Sequence, residues 1–149
     1  MNWTELEIST YQDHVIKHVL GATVLGWVVI EDAMHILLDV GLLWTIYVNA
    51  EMSLMAQAVA LQDLEGEHVS RSDIALLTAD AERLISEGRE AAGLDRFTSA
   101  PIECTVTQVD VFQSDSRRRI LVAGESVDIE IETSLERSEF TLSYQNRER

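Results

Sequence analysis

"LGATVLGWVVIEDAMHILLDVGLLWTIYV", residues 20–48, is the most apolar stretch of this 149-residue chain, and its reading decides the fold. Three readings compete: a membrane segment, a buried sheet and the wall of a ligand pocket. The longest charge-free run through it, His18 to Ile30, has thirteen residues, whereas a helix needs about 20 to cross a bilayer. Glu31, Asp32, His35 and Asp39 interrupt the rest, and acids are costly in lipid. No flanking basic cluster sets an orientation. A membrane partner is therefore not expected.

Strands explain the stretch better. Val24, Val28, Val29, Ile30, Ile36, Trp44, Ile46, Tyr47 and Val48 are β-branched or aromatic, the types that pack on a pleated surface. Breaks fall at Glu31-Asp32, Asp39-Val40-Gly41 and Asn49-Ala50. The expectation is an antiparallel meander of 23–30, 34–38, 42–48 and 51–55. Its alternation is incomplete, so both faces should be covered.

Outward from the meander, periods change. Residues 9–21 carry Tyr11, Val15 and Val19 at helical spacing, with Ser9 or Thr10 as the cap and Gly21 as the stop. A strand from His14 onward is the competing reading. Ala-rich residues 56–64 suggest a helix. Ile74, Leu77, Ala81, Leu84 and Ile85 give a clearer one, capped by Ser72 or Asp73 and ending near Ala92 with Gly93. From Pro101 the period becomes two. Ile102, Cys104 and Val106 alternate, then Val109 and Val111 take the opposite parity, which predicts a bulge near Thr107-Gln108. Residues 120–123, the Val127-Ile129-Ile131 row and the Phe140-Leu142-Tyr144 row complete a second meander with one wet, acidic face. Gln145 to Arg149 are polar and expected to fray.

The resulting class is α+β: an N-terminal helix, an antiparallel meander, one or two helices, and a second antiparallel meander. The length suits a single domain over 1–149. Its parts are 9–55 (helix and first meander), 56–93 (helical) and 101–144 (second meander).

Charge is the strongest global signal. Twenty-six acids against eleven bases give −15. Residues 1–70 hold ten acids and one base, Lys17, a net −9. Such a surface repels nucleic acid and anionic lipid. It attracts a basic protein partner, or serves only to keep the chain in solution. The lone Cys104 fits a reducing compartment, and the acidic start MNWTELEISTYQD lacks the basic region of a secretory signal. A cytoplasmic protein is expected.

Candidate chemistry is sparse. His14 and His18 lie four apart, the helical spacing at which two imidazoles bind one zinc ion; otherwise they are two helix histidines. His35 and Asp39 share one strand face and could line a ligand cleft; otherwise Asp39 belongs to a turn and His35 faces water. Arg117, Arg118 and Arg119 could bind a phosphate or an acidic partner, or guard a strand edge and pair with acids across strands. Glu31-Asp32 reads as a turn, and Cys104 as a small core residue. No catalytic or cofactor motif occurs. The reading is a small acidic protein that binds or masks a partner, in the manner of a chaperone or immunity protein, with no cofactor and with homodimerisation favoured by the apolar content of residues 19–64. The alternative is a small-molecule- or metal-binding domain, or a metal-dependent enzyme using His14 and His18.

Overall fold

The computed structural model describes residues 2–66 and 68–146. Glu67 and Arg147–Arg149 lie outside the described residues, so of the tail expected to fray only Gln145 and Asn146 are described. The chain order is β1 (Thr4–Glu5), α1 (Thr10–Val19), β2 (Val24–Ile30), β3 (Ala33–Leu38), β4 (Leu42–Tyr47), β5 (Met52–Ala56), α2 (Gln57–Gln62), α3 (Arg71–Glu87), β6 (Thr98–Ser99), β7 (Val106–Ser114), β8 (Arg117–Gly124), β9 (Val127–Ser134) and β10 (Glu139–Asn146).

The α+β expectation is overturned. The described chain is mostly β, with ten strands in two antiparallel sheets and three helices at 23% of residues. One sheet runs β5-β4-β3-β2-β6 and the other β1-β7-β8-β9-β10. The correction has a physical cause. The two meanders form separate sheets that face each other. Met34, Ile36, Trp44 and Ile46 meet Val111, Ile120, Ile129 and Ile131 in one core, as in a sandwich of two sheets. The other face of the first sheet (Leu25, Val28, Leu37 and Leu43) packs on Leu77 and Leu84 of α3 and Leu61 of α2. That is why residues 20–48 carry so little polar alternation: the sheet is the middle of three layers.

The helices fill gaps around this frame. Ser9 caps α1 by accepting from the Gln12 amide, and Val15, Ile16 and Val19 join the inter-sheet core. The Gln12 side chain runs along the β5 edge, donating to the Met52 carbonyl at 3.0 Å and accepting from the Met52 amide at 2.6 Å. α3 starts earlier than the spacing suggests, because Ser70 and Asp73 form a reciprocal capping box. It stops earlier too, at Gly88, whose φ of +83° ends the helix before Arg89. The predicted bulge is present, as a register shift between Val106 and Gln108. β1 and β6 have two residues each, too short for any periodicity to signal. Among the described residues, no helix is long and apolar enough to cross a membrane.

Candidate functional site

The hairpin register of β3 and β4 builds the site. Its turn is centred on Val40, so partners have residue numbers that sum to 80: His35 faces Thr45 and Ala33 faces Tyr47. These residues lie on the helix-covered face, in phase with Leu37 and Leu43. His35 is 4% exposed. Its Nδ1 lies 2.9 Å from the Thr45 hydroxyl, while its buried Nε2 has no hydrogen-bond partner among the described residues. Burial lowers the imidazole pKa to about 4, so the ring is neutral near pH 7.

Beside His35 is a cavity of about 210 Å³, walled by Glu31, Asp32, Tyr47, Leu64 and His68 among others. The β2–β3 turn supplies the two carboxylates, with Glu31 at φ +54°. His68 Nδ1 stands 3.4 Å from the Glu31 carboxylate across the mouth. A second cavity of about 300 Å³ adjoins it, sharing Ile30, Glu31, His68 and Val69 and extending along Val28 and Val29 to Asp73 and Arg96. The Arg96 guanidinium pairs with Asp73 at 3.0 Å, and with Ser70 it holds the Asp73 carboxyl below its usual range.

The second cavity runs along an open sheet edge. β6 covers β2 only at Gly26 and Trp27. The Ala100 amide donates to the Leu25 carbonyl, which sets the phase: the backbone groups of Trp27, and two residues on those of Val29, point to the β6 side. Val29 lies past the end of β6 and is 45% exposed. Three features therefore meet at one end of the molecule: a strand edge that β6 leaves uncovered, an acidic rim and a buried imidazole with one nitrogen unpaired among the described residues.

The other sequence candidates lie elsewhere. Asp39 is at the far end of β3, where its carboxylate accepts from the Thr23 amide at 2.9 Å. It lines a separate cavity with Glu87, Arg89 and Glu103. His35 and Asp39 are thus not brought together. His14 and His18 are exposed on α1 with ring centroids 4.4 Å apart, and His18 Nδ1 lies 2.9 Å from the His14 carbonyl. Among the described residues no group of three or more His, Cys, Asp or Glu is placed to hold a metal ion. Arg117 and Arg119 reach across to β9: Arg117 to Glu132 at 3.3 Å, Arg119 to Glu130 at 2.8 Å. Arg119 also stacks on Trp3, 4.3 Å from the ring centroid. Arg118 turns back to the Asp115 and Arg117 carbonyls. Cys104 is fully buried, and burial pushes its thiol up to about 11. Another cavity, about 430 Å³ beside β1, is lined by Asn2, Thr4, Gln113, Ser114 and Asp115.

Tyr47, the Glu31-Asp32 pair and the Val29 edge were not among the candidates. The sum rule of the Val40 hairpin pairs His35 with Thr45 and could have pointed to Tyr47. Nothing local marks the Val29 edge, which depends on how short β6 is. No protein-family model matches the chain, and no curated protein or solved structure matches it significantly.

Proposed function

We propose that this protein is a binding module that takes an extended, basic segment of a partner protein at the Glu31-Asp32 end. The observation that carries the reading is the meeting of an open strand edge at Val29 with a cavity rimmed by Glu31 and Asp32 and lined by the buried His35. An added strand satisfies the free Val29 backbone groups. An arginine or lysine side chain then enters the His35 cavity, its charge meeting the two carboxylates and its stem the Tyr47 and Leu64 side chains. The net charge of −15 steers a basic partner toward the protein and speeds encounter.

The test is fluorescence anisotropy with labelled octa-arginine. Binding should weaken as salt rises. It should fall at least tenfold in a Glu31→Gln, Asp32→Asn double variant. A Glu82→Gln, Glu125→Gln double variant, with the same charge change on distant exposed residues, should bind as the parent does. Equal loss in both variants, or no binding at low salt, contradicts the proposal.

A further inference from the structure

We infer that β10 is a self-association edge, at which a second copy of this chain adds antiparallel and joins two five-stranded sheets into one. The edges of the two sheets are finished in different ways. β1 and β6 are two residues long. The outward backbone groups of Met52 on β5 are occupied by the Gln12 side chain. β10 alone has neither device. It is eight residues long, and it pairs with β9 without a bulge from Glu139 to Asn146.

The phase of its hydrogen bonds follows from the neighbouring ladder. Leu135 donates to the Ser116 carbonyl, so Thr133, Ile131 and Ile129 bond to β8 while Ser134, Glu132, Glu130 and Asp128 bond to β10. On β10 the bonded residues are therefore Glu139, Thr141, Ser143 and Gln145. Phe140, Leu142, Tyr144 and Asn146 direct their N–H and C=O groups outward. No backbone or side-chain partner for these groups is found among the described residues. An unpaired edge of this kind is a template for another strand, and proteins that stay monomeric blunt it with lysine, proline, a bulge or brevity. The segment EFTLSYQN contains no lysine, arginine or proline, and Glu139 is its one charge. In a chain that is 25% charged, that is the reverse of a protected edge.

The segment suits a two-fold. With the axis at Leu142, residues facing each other have numbers that sum to 284. Leu142 meets Leu142, and Phe140 of one copy meets Tyr144 of the other on the inner face. Thr141 meets Ser143 on the outer face, and Glu139 meets Gln145, so no like charges stand opposed. The aromatic pairs extend the half-buried row of Phe140, Leu142 and Tyr144 already packed on the inter-sheet core. The overall charge of −15 opposes association, yet the acidic row of β9 is held back. Two β10 strands separate one β9 from the other, about 14 Å at normal strand spacing, beyond the screening length of about 10 Å in 0.1 M salt. Arg117 and Arg119 further offset Glu130 and Glu132.

Sedimentation equilibrium at high micromolar concentration, with amide exchange read on the same sample, tests this. The expected mass is twice the 16.7 kDa of the chain, returning to that value on dilution, with the Phe140, Leu142 and Tyr144 amides protected only in the dimer. Thr141→Lys with Ser143→Lys sets four ammonium groups side by side across the two-fold. In the single chain these lysines face Glu132 and Glu130, so folding is retained, as circular dichroism will report. This variant should remain at 16.7 kDa. A single-chain mass for the parent at high concentration overturns the inference. So does a dimer whose Phe140, Leu142 and Tyr144 amides exchange freely. Octa-arginine binding is read at the β2–β3 turn, in the other sheet from β10, so either reading can fail alone.

Discussion

His35 and Thr45 face each other across β3 and β4, with the imidazole Nδ1 2.9 Å from the hydroxyl oxygen and the far ring nitrogen without a partner among the described residues. Burial of the imidazole ties stability to pH. The folded pKa of His35 is about 4, against 6.5 for the free side chain. Between those values the unfolded chain binds the proton and the folded chain does not, so stability rises with pH across this window and is fully present above it. On acidification His35 should cost about 2 kcal/mol by pH 5 and about 3 kcal/mol by pH 4. Urea unfolding at pH 7 and pH 5 measures this, and His35→Leu should remove most of the difference while lowering stability at pH 7. An unchanged pH dependence in His35→Leu would sink the assignment.

Asp80 is buried in α3 and accepts from the backbone amides of Asp95, Arg96 and Phe97. It thereby fastens the segment that presents Arg96 to Asp73 at the rim of the site. Charge-assisted bonds of this kind contribute about 1.5–3 kcal/mol each. Asp80→Ala should therefore destabilise by at least about 3 kcal/mol and loosen the 93–97 loop. Denaturant midpoints report the first effect, and exchange of the Phe97 amide the second.

Gly26 marks where β6 is pressed against β2. A Cβ there would stand 2.6 Å from the Thr98 carbonyl oxygen and 3.1 Å from Leu84. The first neighbour is backbone and cannot rotate away. Gly26→Ala should cost about 1–3 kcal/mol and push β6 off the sheet. Loss of protection at the Ala100 amide, which donates to Leu25, reads the displacement directly.

Cys104 should be chemically silent in the folded protein. Its side chain is 0% exposed, and the thiol titrates at about 11, so little thiolate exists at neutral pH. A disulfide reagent at pH 8 should react only after urea is added; prompt labelling without urea contradicts the buried placement.

The sequence made the strands of both meanders legible because their punctuation is local. Glu31-Asp32, Asp39-Gly41 and Asn49-Ala50 fall at the turns, and the Val106–Gln108 irregularity appears as a change of parity. What faces what was not legible. The alternation of Val127, Ile129 and Ile131 says that one face is buried, without saying whether helix or sheet buries it, and the expected class failed on that point. Asp80 shows the same limit on a helix. It lies among charged neighbours on the polar side of the spacing, yet it is buried because the 95–97 backbone folds over it. The candidate site was half visible. His35 stands out as a polar residue in an apolar strand, whereas the Val29 edge exists only because β6 stops at Thr98.

Titration of unlabelled octa-arginine into ¹⁵N-labelled protein at low salt locates the binding surface residue by residue. Shifts should concentrate at Val28 to Asp32, His35, Tyr47 and His68 to Asp73, with the Val29 amide gaining exchange protection. Shifts centred instead on the acidic β9 row of Asp128, Glu130 and Glu132, or spread evenly over all exposed carboxylates, would contradict binding at the Glu31-Asp32 end.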